Sequence, residues 1–359
     1  MNVHAMSICS LLRLFQVNPT NPVSQGSAEM VLNADDQRLM VKVARKYYEE
    51  EMTQAAIAEF YGVSRQKVQR LLDQGKKDGI VRISIRPPLH LHEKLESDLE
   101  SLYGLREAVV VDTELCGIPG MVRTSIGIGA AEYLLKILKD NLKITISWGE
   151  TLLCMAKALV RCSVAKKTKN ITVIQGLGFV SEPSIDSHSC EIVNLIAGVL
   201  DAKKYLLSAP GIAATHEARE VFLSDPNVSE VLQIARCADV AFLGIGTLTP
   251  DTMIIKKNDS ISWSEMKALK DRGAVGDIAL RYYDKDGRLV PSVVDKRVVG
   301  LALDELRNIK TVVGVAGGLE KVEAIRGALT GKLIDVLVTD CFTARELLLL
   351  QSGETVCHD

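Results

Sequence analysis

Four strand-like apolar runs in this chain are each followed by a glycine-containing loop, which lets backbone N–H groups approach a bound anion. The loops are Gly149-Glu150-Thr151, Gln175-Gly176-Leu177-Gly178, Gly244-Ile245-Gly246-Thr247 and Ala316-Gly317-Gly318-Leu319. Lys321 follows the last loop within one helical turn, and Asp277 offers a carboxylate. A single glycine loop is a weak signal, because tight turns use glycine without any ligand. Four in one domain predict a site for a small polar molecule.

A second set of residues, between positions 53 and 72, has the spacing of a helix-turn-helix. Ala58 is small where two helices would cross, and Gly62 can adopt the left-handed turn between them. The second helix carries donors suited to base edges and phosphates. The residues predicted to contact DNA are Thr53, Gln54, Ser64, Arg65, Gln66, Lys67, Gln69 and Arg70, with Arg65, Gln66 and Gln69 as candidates for base reading. The alternative is an amphipathic helical hairpin with a solvated basic face.

The distribution of charge favours the DNA-binding helix-turn-helix over the hairpin with a solvated basic face. The whole chain carries a formal charge of −2, but residues 53–86 contain seven basic and three acidic residues, a net charge of +4. Residues 87–359 carry −5. A small basic module joined to a larger acidic one indicates nucleic acid as the partner of the basic part.

The elements that must position the basic residues are three short helices and a strand, which define a domain over residues 34–86. Apolar residues recur every four positions from Leu39 to Tyr47, a second helix can run from Thr53 to Tyr61, and Ser64 can cap a third helix that ends near Gln74. Residues 80–85 alternate like a strand. Residues 1–33 lack the pattern of a secretory signal, so we expect a disordered extension or translation that begins near Met30.

Residues 87–102 predict a linker helix, whose leucine stripe would pack on a partner helix or on the next domain. Over residues 103–359, short apolar runs alternate with helical segments. The predicted strands are Ala108–Val111, Ile144–Trp148, Ile171–Gln175, Val240–Ile245, Thr311–Val315 and Asp335–Thr339. This alternation predicts an α/β domain with a parallel sheet covered by helices on both faces.

The composition argues against a membrane-spanning protein and a disulfide-rich or metal-binding scaffold. The 359 residues include 47% apolar and 25% charged residues, with no apolar run long enough for a membrane span, so we expect a cytoplasmic protein. The eight cysteines stand singly, without the paired spacing of a metal site or a redox dithiol. We therefore expect neither a metal nor another cofactor.

Several short motifs, spread over about residues 36–352, resemble the SorC family of bacterial transcriptional regulators, sometimes called DeoR-like. They are Thr53-Gln54…Ile57-Ala58, Asp78-Gly79-Ile80-Val81, Ser147-Trp148-Gly149, Ala238-Asp239-Val240…Gly244-Ile245-Gly246, Gly273-Ala274-Val275-Gly276-Asp277-Ile278, Gly317-Gly318…Lys321…Ala324-Ile325 and Leu337-Val338-Thr339-Asp340…Thr343-Ala344. The resemblance implies an N-terminal DNA-binding domain and a Rossmann-like sugar-binding domain related to sugar-phosphate isomerases. It also implies a homodimer or homotetramer whose affinity for operator DNA is set by a phosphorylated sugar.

The resemblance also assigns roles to the loop residues. Gly149, Glu150 and Thr151 would form the phosphate loop, Gln175 and Gly176 would lie beside the sugar, and Asp277 and Lys321 would hold its hydroxyl and phosphate groups, with Gly246 in the same site. Glu150 conflicts with this assignment, because a carboxylate repels phosphate. Either Glu150 points away or the effector is less anionic, such as a free polyol.

Three functions are compatible with these sequence features. The first is a regulator of a carbohydrate-utilisation operon that responds to a sugar phosphate or sugar alcohol. The second is an isomerase or lyase with an appended DNA-binding domain, in which Asp277, Asp340 and Lys321 would supply acid–base groups or a Schiff base. The third is an architectural DNA-binding protein without an effector.

Overall fold

The computed structural model describes residues 34–81, 92–113, 119–162, 168–180, 188–249 and 261–352. The chain divides into two units at the boundary between Arg86 and Pro87. The described part of the first unit is helical, and the second is an α/β domain built on a parallel sheet. Among the helices of these segments, none is both long and apolar enough to cross a membrane.

Helices α1 (Ala34–Tyr48), α2 (Gln54–Tyr61) and α3 (Arg65–Lys77) form the first unit. The side chain of Thr53 accepts a hydrogen bond from the N–H of Ala56 and so caps α2, and Gly62 ends it with a φ of +64°. Ser64 caps α3 in the same way. The predicted start of α3 is therefore confirmed, and α2 begins one residue after the predicted Thr53.

Apolar side chains from all three helices form one core in this unit. Its fully or almost fully buried members are Met40, Val43, Ile57, Val68, Leu71 and Leu72. Gly75 lets α3 approach α1 closely, because a Cβ atom there would lie 3.3 Å from the sulfur of Met40. Of the predicted strand at 80–85, Ile80 and Val81 lie in a bend and the rest falls outside the described residues.

The second unit alternates strands and helices along the chain. The strands are β1 (Glu107–Val111), β2 (Lys143–Ile146), β3 (Thr172–Gln175), β4 (Lys203–Tyr205), β5 (Val240–Gly246), β6 (Ala274–Ile278), β7 (Arg281–Asp284), β8 (Val312–Val315) and β9 (Val336–Asp340). The helices are α4 (Glu93–Tyr103), α5 (Pro119–Ile137), α6 (Glu150–Arg161), α7 (His188–Leu200), α8 (His216–Ser224), α9 (Pro226–Arg236), α10 (Trp263–Asp271), α11 (Leu303–Arg307), α12 (Val322–Thr330) and α13 (Cys341–Ser352).

The parallel strands lie in the order β1-β9-β8-β5-β2-β3-β4, and β6 and β7 form an antiparallel extension from the end of β5. Successive residues of β5 enter opposite cores: Leu243 lies in one apolar cluster and Phe242 in the other. Since side chains alternate across a strand, helices must cover both faces of the sheet. The predicted α/β class and the six predicted strands are confirmed.

Helix α4, predicted as part of a linker, packs on the sheet of its own unit. Leu99 is fully buried in the main core, and the hydroxyl of Tyr103 donates to the carbonyl of Leu347 at 2.8 Å. The carboxylate of Glu96 accepts the N–H of Val110, on the strand β1. The helix begins at Glu93, and the earlier part of the predicted linker lies outside the described residues.

Candidate functional site

The three central strands of the sheet bring their following loops to one edge. Strands β8, β5 and β2 are parallel neighbours, so their carboxyl ends meet. From β2 the chain proceeds outward through β3 and β4, and β5 then pairs on the other side of β2. In open α/β sheets, ligands usually bind beside such a change of direction, in the crevice outside the carboxyl ends of the strands.

Asp277 and Gly246 meet at the end of β5. The two residues are paired in the antiparallel β5–β6 ladder, and a Cβ atom on residue 246 would lie 2.1 Å from Oδ1 of Asp277. The Asp277 carboxylate is buried and accepts the N–H of Leu280 at 3.1 Å. Burial raises the pKa of Asp277 to about 6, and the nearby Lys321 ammonium opposes the rise.

Lys321 approaches the same strand end from β8. It lies in the 3₁₀ turn Leu319–Lys321 before α12, and its ammonium donates to the carbonyl of Ile245 at 2.8 Å. Burial lowers the pKa of Lys321, whereas the carboxylates of Glu320 and Asp277 favour its charged form. A buried acid and a half-buried lysine with shifted pKa values at one strand end are typical of a functional site.

The N-terminus of α6 supplies a place for an anion. Gly149 adopts a φ of +136°, which residues with a side chain rarely adopt, and no side chain caps the helix. Backbone N–H groups at such an end, with the helix dipole behind them, attract an anion. Thr151, in the first turn, is buried.

Glu150 is paired with Arg123 of helix α5, a residue that no motif in the sequence indicates. The Arg123 Nε and Glu150 Oε2 atoms are 3.0 Å apart. Helices α5 and α6 pack closely one turn later, because a Cβ atom on Gly127 would lie 2.6 Å from the Cβ of Cys154. This pair adds a third possibility to the two offered for Glu150, in which a guanidinium offsets its charge beside the loop.

The glycine loop after β8, by contrast, has its amide occupied. The N–H of Gly318 donates to Oδ2 of Asp340 at 2.9 Å and to Oγ1 of Thr343 at 2.8 Å. Asp340 also accepts the N–H groups of Phe342 and Thr343 and so caps α13. The α6 terminus is therefore the better anion site of the two.

Gln175 and Gly176 have structural roles in the loop after β3. The Gln175 amide nitrogen donates to the carbonyl of Leu177 and the hydroxyl of Ser189, and its oxygen accepts the N–H of Leu207 and the thiol of Cys190. These four bonds use its hydrogen-bonding capacity. A Cβ atom on Gly176 would lie 2.7 Å from Oγ1 of Thr145. Gln175 therefore holds the loop together, and its position beside a sugar stays a prediction.

Four of the eight predicted DNA-contacting residues lie on an exposed face of α3. Arg65, Gln66, Gln69 and Arg70 are exposed, and Gln54 is half-buried at the start of α2. Lys67 differs, since its ammonium pairs with a carboxylate oxygen of Asp36 on α1 at 2.9 Å. Thr53 and Ser64 are exposed, and their oxygens accept the capping hydrogen bonds.

Comparison with known proteins gives consistent matches. The family model Sugar-bind, a sugar-binding domain, matches residues 88–349. The deoxyribonucleoside regulator of Bacillus subtilis is 31% identical over 317 residues, which cover 88% of this chain and 99% of that protein. The transcriptional regulator LsrR of Klebsiella pneumoniae is 33% identical over 322 residues, 88% of this chain and 94% of its own.

A solved structure matches the same range. The crystal structure of the full-length sorbitol operon regulator SorC from Klebsiella pneumoniae has 28% sequence identity and a TM-score of 0.73, and the match covers 88% of this chain and all of that one. The domain match and the full-length relatives agree with the motifs in the sequence. This chain therefore belongs to the SorC family of transcriptional regulators, with a sugar-binding domain over residues 88–349.

Proposed function

We propose that the crevice at the ends of β2, β5 and β8 binds a small phosphorylated sugar. The observation that carries this proposal is that the buried Asp277 carboxylate and the half-buried Lys321 ammonium both lie at the end of β5, the central strand of the sheet, beside Gly246 and Ile245 respectively. Asp277 accepts a sugar hydroxyl, and Lys321 donates to a hydroxyl or phosphate oxygen. The uncapped N-terminus of α6 receives the phosphate, with Arg123 close by.

We further propose that α2 and α3 form a helix-turn-helix that binds operator DNA. Arg65, Gln66 and Gln69 are exposed on α3 and read base edges, and Arg70 contacts phosphate. Lys67 contributes less than expected, because DNA must compete with Asp36 for its ammonium.

The effector controls operator binding through the population of protomer arrangements. A homodimer or homotetramer presents its recognition helices to half-sites about one helical turn apart, or a multiple of that. An effector that binds one arrangement more tightly than the other changes the affinity for operator DNA. The change is at most the ratio of the effector's affinities for the two arrangements. The protein acts where bacterial DNA is, in the cytoplasm.

The test of the effector site is a thermal-shift screen of pentose and hexose phosphates beside the matching free sugars and polyols. A ligand that binds the folded state at 100 times its Kd stabilises by about 2.7 kcal/mol. We expect one phosphorylated compound to raise the Tm of the wild type and to have little effect on Lys321→Met. Lys310→Met is the matched control, since this exposed lysine lies before β8, at the opposite edge of the sheet.

A second pair of variants separates a phosphate from a polyol. Arg123→Met should weaken binding of a phosphorylated effector and leave binding of its unphosphorylated counterpart unchanged, because only the phosphate needs the guanidinium. Glu150→Gln should keep or strengthen phosphate binding, since it removes a negative charge. Stabilisation by a free polyol alone, insensitive to both variants, would refute the phosphate assignment.

We propose that the domain binds its sugar without turning it over. Asp340, an acid–base candidate in the enzyme hypothesis, accepts four hydrogen bonds as part of the loop and helix cap. Lys321 and Asp277 remain the groups that could act on a sugar. Incubation with paired aldose and ketose phosphates should leave their ratio unchanged, and interconversion that disappears in Lys321→Met would establish an enzyme instead.

A further inference from the structure

Three side chains of metal-binding type meet at an edge of the second unit, away from the crevice residues of β5. They are His92, Asp112 and Cys341, whose ligand atoms all lie within 4.8 Å of one another. The Nε2 atom of His92 is 3.5 Å from Oδ1 of Asp112, and the Sγ atom of Cys341 is 3.8 Å from the same oxygen.

The fold holds these residues together by separate means. Strands β1 and β9 are parallel, with Val111 opposite Asp340, so the next residues, Asp112 and Cys341, leave the sheet side by side. His92 comes from the start of α4, which packs across β1. The cluster thus joins the first described segment of the unit to helix α13, the last helix among the described residues.

The imidazole of His92 lacks a hydrogen-bond partner at the atom that faces the cluster. Its Nε2 is buried and makes no hydrogen bond within the described structure. Burying such a nitrogen without a partner is unfavourable, by about 1–3 kcal/mol. A metal ion would satisfy it, and the half-exposed Asp112 side chain gives an ion access from solvent.

The donor set selects the kind of ion. Imidazole nitrogen, thiolate sulfur and carboxylate oxygen together suit Zn²⁺ and not Mg²⁺ or Ca²⁺. With bonds of about 2.0–2.3 Å, tetrahedral zinc ligands lie about 3.3–3.8 Å apart. The separations from Asp112 to His92 and to Cys341 already lie in this range.

We propose that His92, Asp112 and Cys341 bind one Zn²⁺-class ion, with water as the fourth ligand. Coordination forms a metal–sulfur bond as the thiol proton of Cys341 passes to the buffer. Because these residues are assembled only in the folded domain, the ion stabilises it. The proposal does not depend on the effector site.

The test is a metal titration of the full-length, chelator-treated and reduced protein. Zn²⁺ binding is followed by calorimetry and thermal shift, and Co²⁺ serves as a spectroscopic probe, since a cobalt–thiolate bond has its own charge-transfer absorption. We expect one equivalent to bind with a rise in Tm. The Co²⁺ charge-transfer band should be absent in Cys341→Ser and present in Cys237→Ser, whose cysteine is exposed elsewhere.

Asp112→Asn keeps the test decisive if Cys341→Ser misfolds, because the Asp112 side chain is half exposed. This variant should bind Zn²⁺ at least about ten-fold more weakly. Wild-type affinity retained in Asp112→Asn, or a charge-transfer band that survives Cys341→Ser or is lost in Cys237→Ser, would overturn the site.

Discussion

The substitution Asp277→Asn should remove a pH dependence of stability that the wild type shows in the acidic range. Burial raises the pKa of Asp277 in the folded protein from an ordinary value of 3.8 to about 6. The folded state therefore binds this proton more tightly than the unfolded state. The stabilisation is present in full below pH 4 and is lost as pH rises through 6.

The size of the pKa shift of Asp277 determines how much the free energy of unfolding changes with pH. About two pKa units correspond to about 3 kcal/mol in the free energy of unfolding, lost between about pH 4 and pH 7. For a domain of this size, 3 kcal/mol corresponds to roughly 6–12 °C in Tm. Asparagine has nearly the shape of the protonated acid and keeps an oxygen that can accept the N–H of Leu280, so the variant should fold.

The assay is scanning calorimetry of both proteins from about pH 4.5 to pH 7.5, with the transition of the larger domain followed. Subtracting one Tm curve from the other cancels the contribution of titrating groups that both proteins share. Glu96 is one such group, because burial also raises its pKa. We expect the wild type to lose stability relative to Asp277→Asn as pH rises. Parallel curves would show that Asp277 is not buried as described.

Three further substitutions test individual contacts. Gly246→Ala places a methyl group 2.1 Å from Oδ1 of Asp277, so it should lower the free energy of unfolding by about 1–3 kcal/mol and abolish the effector-induced rise in Tm. The control is Gly198→Ala on α7, where the added Cβ meets open space, and it should be neutral or stabilising in the same measurements. Gln175→Leu leaves the buried N–H of Leu207 without its partner and should cost about 1–3 kcal/mol by urea unfolding, and a change under about 0.5 kcal/mol would contradict its structural role. Ser64→Ala removes the cap of α3 and should cost about 1 kcal/mol in the stability of the first unit, measured by the helical signal on heating, and an unchanged transition would exclude the cap.

The sequence predicted well those parts of the fold that local patterns determine. Ser64 caps α3 as expected, because capping needs only a hydroxyl and the next turn, and Thr53, expected as the first residue of α2, caps that helix. Buried parallel strands such as β5 are near-continuous apolar runs and were found for that reason. Strand β4 has three residues, and β6 contains Gly276 and Asp277, so neither has such a pattern.

The site was harder to predict, because it depends on packing between distant segments. Arg123 reaches Glu150 only because α5 and α6 approach closely, and no spacing in the sequence encodes that contact. Gln175 ends strand β3 and resembles a ligand residue, but its partners come from residues up to 32 positions away. Whether a buried amide is free for a ligand can be seen only once the chain has folded.

The central claim is that a ligand in the Asp277–Lys321 crevice controls binding of DNA by the first unit. The direct test selects a binding duplex from a random library, then measures its Kd by fluorescence anisotropy at fixed salt, with and without the phosphorylated sugar that raises Tm. We expect the ligand to change the Kd of the wild type by about five-fold or more and to leave that of Lys321→Met unchanged. An operator Kd that stays constant in the wild type with every stabilising ligand would contradict the account.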